Sequence, residues 1–175
     1  MVREGRRPVD EARRRGRPRA GPPDVPSPSR RTAGISLPSL VLHGPPGVGP
    51  VVEGEALVSA HGFSARYDLN RKLGVFARES HDLYGQSVVG RILVHPTAKG
   101  GVATAWALLE MRERGTAPLG LLFSTANPIM AQGAVLAGLP LMHRLEPDVV
   151  ASIRSGDWLR LDPAQGRVAV WHVVH

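Results

Sequence analysis

The sequence predicts an α/β fold whose central strands run parallel, with further strands at both ends of the folded region. Two observations support the parallel centre. An apolar run at 87–95 precedes a glycine turn at 96–101 and a helix-like segment at 102–114. A second apolar run at 119–124 precedes another helix-like segment at 129–137. Strands joined through helices pair in parallel, so these segments predict a βαβαβ unit.

Residues 1–50 are predicted to be disordered. They hold ten of the 16 prolines, and residues 1–38 hold ten arginines against four acidic residues. Such a segment buries too little apolar surface to offset the entropy of ordering it. It is interpreted as a dispensable extension or as a weak basic interaction arm. The net charge of +7 therefore belongs mostly to this segment, and the remainder is close to neutral.

Several functional classes are excluded or disfavoured. The chain contains no cysteine, so it offers no disulfide, no thiolate nucleophile and no cysteine ligand for a zinc ion or an iron–sulfur cluster. No apolar run is long enough to cross a membrane, and no signal-peptide core is present, so a cytoplasmic protein is expected. Residues 44–50 imitate a P-loop, but Pro50 and Val51 replace its lysine and hydroxyl residue, which argues against ATP binding.

The folded domain is expected at 51–175 and begins with an alternating strand at 52–59. A second short strand is predicted at 63–67, a turn at 68–70, and a third strand at 73–76. Residues 81–85 are expected to form an irregular loop that leads into the strand at 87–95.

Glycines mark the helix ends in the second half of the chain. The helix at 102–114 is predicted to end at Gly115 and the helix at 129–137 at Gly138, because glycine accepts the left-handed conformation that closes many helices. The remaining predictions are a strand at 139–142, a helix or turn at 147–155, and a hairpin formed by 158–161 and 167–174.

The turn before the first helix is the best candidate for a ligand site. Unpaired backbone N–H groups at a helix start favour an anion, and Lys99, Gly100 and Gly101 lie at this start. Two interpretations of Lys99 stay open: it binds a carboxylate or phosphate at this helix start, or it is a solvated surface lysine. No serine has the flanking glycines of a nucleophile elbow, and the histidines lack metal-ligand spacing, so no metal site is predicted. His81 is singled out because its loop is polar and glycine-flanked.

Taken together, the segments resemble the small swivelling domain of the aconitase X family of dehydratases. The resemblance covers roughly residues 50–171. The matching segments are Glu53–Ser59, His81–Val94, Lys99–Gly100, Asn127–Ile129, Gly133–Pro140, Gly156–Trp158 and Gly166–Val168.

The resemblance implies a swivelling β/β/α domain with a central parallel sheet and a second small β layer. It also implies a heterodimer with a large subunit that binds the iron–sulfur cluster and most of the substrate, with no cofactor on this chain. The implied reaction is loss of water from a hydroxy acid, with Lys99, Gly100, Gly101 and Asn127 on the substrate side.

The sequence departs from the family pattern at Gly101. In the family a serine, regarded as the catalytic base, follows the Lys/Arg–Gly pair. Without this serine, the proton acceptor is expected to be Thr104 or His81 on this chain, or a group on the large subunit. Alternatively, the chain is a non-catalytic binding or regulatory module that has lost the serine. Nucleic-acid binding through the arginine-rich segment is a third hypothesis, which predicts salt-dependent affinity.

Overall fold

A computed structural model describes residues 37–173, which form nine strands and three helices. The elements are β1 (Leu40–His43), β2 (Val52–Val58), β3 (Leu69–Asn70), β4 (Val75–Phe76), β5 (Arg91–Thr97), α1 (Val102–Arg114), β6 (Gly120–Thr125), α2 (Pro128–Ala137), β7 (Leu141–His143), α3 (Val149–Ser152), β8 (Trp158–Asp162) and β9 (Arg167–Trp171).

Seven of the strands form one mixed sheet in the order β1-β9-β8-β2-β5-β6-β7, and β3 and β4 form a separate two-stranded sheet. The pairs β2–β5, β5–β6 and β6–β7 are parallel. The other pairs of the large sheet, β2–β8, β8–β9 and β1–β9, are antiparallel. The predicted α/β fold with a central parallel sheet and a second small β layer is confirmed.

Side chains of the central strands alternate between two apolar clusters on opposite faces of the sheet. On β5, Leu93 belongs to the cluster that contains α1 and α2 residues, whereas Ile92 and Val94 belong to the cluster that contains Val149 of α3. This alternation follows from the two-residue period of a strand. Because both faces of the sheet are covered, the sequences of the central strands are continuous apolar runs.

Helices α1 and α2 approach each other closely at Gly133. A Cβ atom on Gly133 would lie 2.7 Å from Cα and 2.8 Å from Cβ of Ala105. Gly133 and Ala105 are both buried in the helix pair. The absence of a side chain at position 133 therefore sets the distance between the two helices and, through them, the position of both helix starts.

His95 lies in the core beside aromatic rings. Its ring stacks on Phe63 with a centroid distance of 5.0 Å, and Phe123 lies 6.3 Å away. Its Nδ1 lies 2.9 Å from the carbonyl oxygen of His61, so this nitrogen carries the proton and donates it. Burial lowers the pKa of His95 to about 4, against the opposing effect of that hydrogen bond.

Three local expectations are corrected. The folded part begins before residue 51, because β1 pairs with β9 along four residues; the rest of the predicted disordered segment, 1–36, lies outside the described residues. Residues 63–67 are not a strand, because the Asp68 carboxylate accepts the Ser64 N–H at 2.8 Å and folds this segment into a turn. Leu69–Asn70, expected to be a turn, pairs with β4.

Both helix ends were predicted correctly. Gly115 and Gly138 close α1 and α2 in the left-handed conformation, with φ values of 73° and 62°. Between residues 37 and 173, no helix is long and apolar enough to cross a membrane.

We expect Gly133→Ala to destabilise the domain. The added methyl group overlaps backbone of α1, and overpacking of this kind costs about 1–3 kcal/mol. Urea denaturation measures the change in the free energy of unfolding. The control is Gln132→Ala on the exposed side of the same helix, which should leave stability within about 0.5 kcal/mol of the parent. Equal stability of both variants would contradict the close approach of the helices.

We expect acid to destabilise the fold through His95. The pKa of His95 is 6.5 in the unfolded chain and about 4 in the native chain, so the unfolded chain takes up the proton at the higher pH. Between these values the unfolded state binds more protons, so stability falls as the pH falls, by about 3 kcal/mol in total.

The pH dependence of urea unfolding in His95→Phe checks this expectation. The variant should lose less stability than the parent between pH 6.5 and 4, whatever its absolute stability. His43→Gln, at an exposed histidine, serves as the control. Parallel curves for the parent and His95→Phe would show that His95 is not the group responsible.

Candidate functional site

The candidate site lies at the carboxyl ends of the parallel strands β2, β5 and β6. The chain leaves these strands in loops at 59–64, 98–101 and 126–127. In parallel α/β sheets these loops meet at one edge, which is where ligands bind. The polar side chains described below come from these loops, from the start of α1 and from residues 78–82, which follow β4.

Backbone hydrogen bonds join the first two loops. The Phe63 N–H donates to the Thr97 carbonyl at 2.9 Å, and the Lys99 N–H donates to the Phe63 carbonyl at 2.8 Å. Gly62 makes the close approach possible, because a Cβ there would lie 2.5 Å from Cε of Lys99 and 2.6 Å from Oγ1 of Thr97. The Lys99 side chain therefore runs across Gly62.

The two glycines after Lys99 have different structural roles. Gly100 has a φ of 95°, which favours glycine, and a Cβ there would collide with Oγ1 of Thr104. Gly101 is the N-cap of α1, with a φ of −111°, no side-chain capping bond, and no atom within 4 Å of an added Cβ. Position 101 therefore accepts a serine without steric conflict.

Thr104 and Asn127 already have hydrogen-bond partners. Thr104 is 2% exposed, and its hydroxyl lies 3.1 Å from Oγ of Ser64. Asn127 caps α2 by accepting the Met130 N–H at 2.8 Å, and its amide donates to the Ala98 carbonyl at 3.3 Å. Asn127 thus connects the start of α2 to the Lys99 loop. The predicted roles of Thr104 as a base and of Asn127 in substrate binding stay proposals.

Asp82 organises the loop that follows β2. Its carboxylate accepts the Ser59 hydroxyl at 2.6 Å and the Ala60 N–H at 2.8 Å. It also lies 3.0 Å from Nδ1 of His81 and 3.8 Å from Nδ1 of His61. Burial would raise the pKa of this carboxyl, but the two hydrogen bonds and the histidines together lower it, so Asp82 is ionised at neutral pH.

His81 is almost fully buried at 5% exposure. Its ring stacks on Phe76 at a centroid distance of 4.5 Å, and the Leu83 N–H donates to its Nδ1 at 3.2 Å. Its Nε2 is buried without a hydrogen-bond partner. Burial lowers the pKa of His81 despite the nearby Asp82, so the ring is neutral at neutral pH.

A pocket of about 240 Å³ opens between the loops. The residues that line it are His61, Arg78, Ser80, His81 and Lys99. The structure therefore brings together Lys99 and His81, two of the predicted site residues. Sequence reasoning missed the contribution of Arg78, Ser80 and His61. These three lie far from Lys99 in sequence, and only the fold reveals their proximity. The pairing of Phe63 with Thr97 and Lys99 positions His61, and contacts with Asp68 position Arg78.

His61, His81 and Asp82 place possible metal-ligand atoms within 4.8 Å of one another. The surrounding charges do not favour a cation, because Lys99 and Arg78 line the same pocket. Asp82 also already accepts two hydrogen bonds. The arrangement is better suited to an anionic group.

Comparison with known proteins agrees with this architecture. Residues 41–170 match the family described as the aconitase X swivel domain. A phosphomevalonate dehydratase small subunit from Methanopyrus kandleri is 40% identical over 119 residues, which are 68% of this chain and 87% of that protein. A protein of the same name from Methanosarcina acetivorans is 30% identical over 116 residues, which are 66% and 81% of the two chains.

A solved structure gives the same result. The crystal structure of Thermococcus kodakaraensis aconitase X in its holo form superposes with a TM-score of 0.71 at 27% identity, covering 76% of this chain and 99% of that chain. The resemblance found in the sequence is thereby confirmed, and the chain belongs to the aconitase X swivel domain family.

Proposed function

We propose that this chain is the small subunit of a hydro-lyase that dehydrates a hydroxy acid together with a large subunit carrying an iron–sulfur cluster. The observation that carries the proposal is the match of residues 41–170 to the aconitase X swivel domain. Relatives that align over more than four fifths of their own length are named phosphomevalonate dehydratase small subunits. The likeness therefore spans nearly the whole of a small subunit.

The proposed division of labour fits the side chains of this chain. It has no cysteine thiolate to hold a cluster, so the cluster is assigned to the large subunit. The metal would hold the leaving hydroxyl group. This chain would supply an anion site at the start of α1, built from the Lys99 ammonium and the backbone N–H groups of Gly100 and Gly101.

An exposed apolar surface beside this helix start supports a partner. Val102 and Trp106, one turn apart on α1, are 60% and 61% exposed. On the adjoining helix α2, Val135 and Leu136 are 58% and 50% exposed. Exposed apolar side chains can mark interaction surfaces, and we assign these residues of α1 and α2 to contact with the large subunit.

A second function, a non-catalytic binding or regulatory module, is favoured by Gly101. Glycine has no side chain to accept a proton, whereas the open helix start still binds an anion. On this hypothesis the chain associates with a partner and an anionic ligand but contributes no proton transfer.

We expect co-expression with a large subunit encoded beside this gene to give a stable complex, and Trp106→Ser to weaken it. Loss of a large apolar side chain at an interface costs about 2 kcal/mol or more, a roughly 30-fold change in the dissociation constant. The dissociation constant is measured by calorimetry. Leu73→Ser is the control, because Leu73 is 65% exposed and its neighbour Gly74 lies near Thr116, beyond the other end of α1. Failure to co-purify would contradict the proposal.

We expect Gly101→Ser to raise the dehydratase activity of the reconstituted complex about 100-fold or more, because a positioned proton acceptor contributes about 10²- to 10⁴-fold. Gly101→Ala, which lacks the hydroxyl, is the control and should give no increase. Both substitutions fit the open N-cap. Lys99→Ala should lower whatever activity is present. Absence of activity in every version would favour the non-catalytic module.

A further inference from the structure

We propose that His143 is a positioning residue, whose uncharged imidazole holds Asn127 at the start of α2 by accepting the Ala126 N–H. The contact lies at the end of β7, two strands away from β5, which leads to Lys99. The hydrogen-bonded arrangement is a property of this chain alone. Its use in orienting a residue that touches substrate rests on the proposed function.

The end of β7 is a well-anchored support for the His143 side chain. β7 pairs with β6 as far as His143. The next residue, Arg144, has a φ of 54°, a left-handed conformation that is unfavourable for a residue with a side chain. Beyond it, Glu146 exchanges two backbone hydrogen bonds with His43, at 2.7 and 3.0 Å. The chain is therefore held on both sides of position 143, and it leaves β6 there.

The imidazole of His143 takes over where the backbone of β7 stops. His143 is aligned with Phe123, and β6 continues two residues further, to Thr125, so the backbone of β7 does not extend to Ala126. The Ala126 N–H donates instead to Nδ1 of His143 at 3.2 Å. An imidazole nitrogen that accepts a hydrogen bond carries no proton, so the proton of the neutral ring lies on Nε2.

Asn127 depends on this contact because it directly follows Ala126. Its Oδ1 accepts the Met130 N–H at 2.8 Å, and its side-chain amide donates to the Ala98 carbonyl at 3.3 Å. A series of hydrogen bonds thus runs from β7 through residues 126–127 to the Lys99 loop. A shift of the Ala126 backbone would move both the cap of α2 and the Asn127 side chain.

The surroundings of His143 keep its ring uncharged. Burial lowers the pKa of His143 below its usual value of 6.5, and the Arg144 guanidinium lowers the pKa further. β6, residues 126–127 and α2 contain no ionisable side chain, and the first acidic residue after His143 is the exposed Glu146. Protonation would place a second N–H on the ring, so Nδ1 would no longer accept the Ala126 N–H. Acid is therefore expected to break the contact.

The test is a pH titration of the full 175-residue chain from about pH 8 to about pH 5, followed by the NMR signals of the His143 imidazole, the Ala126 N–H and the Asn127 side-chain amide. We expect the three signals to change with one midpoint, below pH 6.5. His143→Asn should remove the pH dependence at Ala126 and Asn127, because its Oδ1 can accept the same hydrogen bond without titrating.

Two further variants complete the test. His143→Leu removes the acceptor and should speed amide hydrogen exchange at Ala126 about 10-fold or more at neutral pH. His43→Asn, at an exposed histidine, is the matched control and should respond as the parent does. Titration of His143 without a response at Ala126 and Asn127 would overturn the proposal, as would an unchanged pH dependence in His143→Asn. If His143→Leu fails to fold, the parent and His143→Asn still decide between these outcomes.

The consequence for the proposed reaction is measured separately, in the complex with the large subunit. His143→Leu should lower kcat/KM about 5-fold or more, mainly through KM, whereas His143→Asn should retain the parent value at neutral pH. Equal kcat/KM in the parent and His143→Leu would overturn the positioning role and retain the dehydratase proposal. An inactive complex whose His143, Ala126 and Asn127 signals still titrate together would refute the dehydratase proposal and retain the contact.

Discussion

The pairing of Phe63 with the Lys99 loop is the constraint on which the site depends. Two backbone hydrogen bonds fix the loop after β2 against the loop after β5. The bare Cα of Gly62 lets the Lys99 side chain cross between them. The stacked rings of Phe63 and His95 anchor the same loop to the core. Without this pairing, Lys99 would remain at the start of α1, but His61 would not face it.

The loop at 98–101 therefore has two roles, one for the Lys99 side chain and one for its backbone. The Lys99 side chain turns back towards the histidines, whereas its backbone continues to the open N-cap at Gly101. A dehydratase needs both a means of holding an anionic substrate and a proton acceptor. The structure is well equipped for the first. For the second, the candidates that the sequence predicted are a buried Thr104 and a buried His81, and position 101 would accept a serine.

The sequence was informative where a local rule determines structure. The helices and their glycine ends follow from backbone conformation, and the parallel centre follows from apolar runs separated by helices. The sequence was less informative where contacts between residues distant in the chain determine the local structure. Ser64–Asp68 folds as a turn because a side-chain carboxylate competes for a backbone N–H, and β1 pairs with β9 from the far end of the domain. Arg78 and His61 carry no motif, so only their positions in the fold assign them to the site.

In the proposed complex, the start of α1 and its exposed apolar residues face a large subunit across the reaction site. Hydrogen–deuterium exchange of this chain, with and without the large subunit, tests it most directly. We expect the partner to slow exchange at residues 62–64 and 99–106 and in α2, and to leave the edge strand β1 unchanged. Protection confined to β1, β8 and β9 would contradict it.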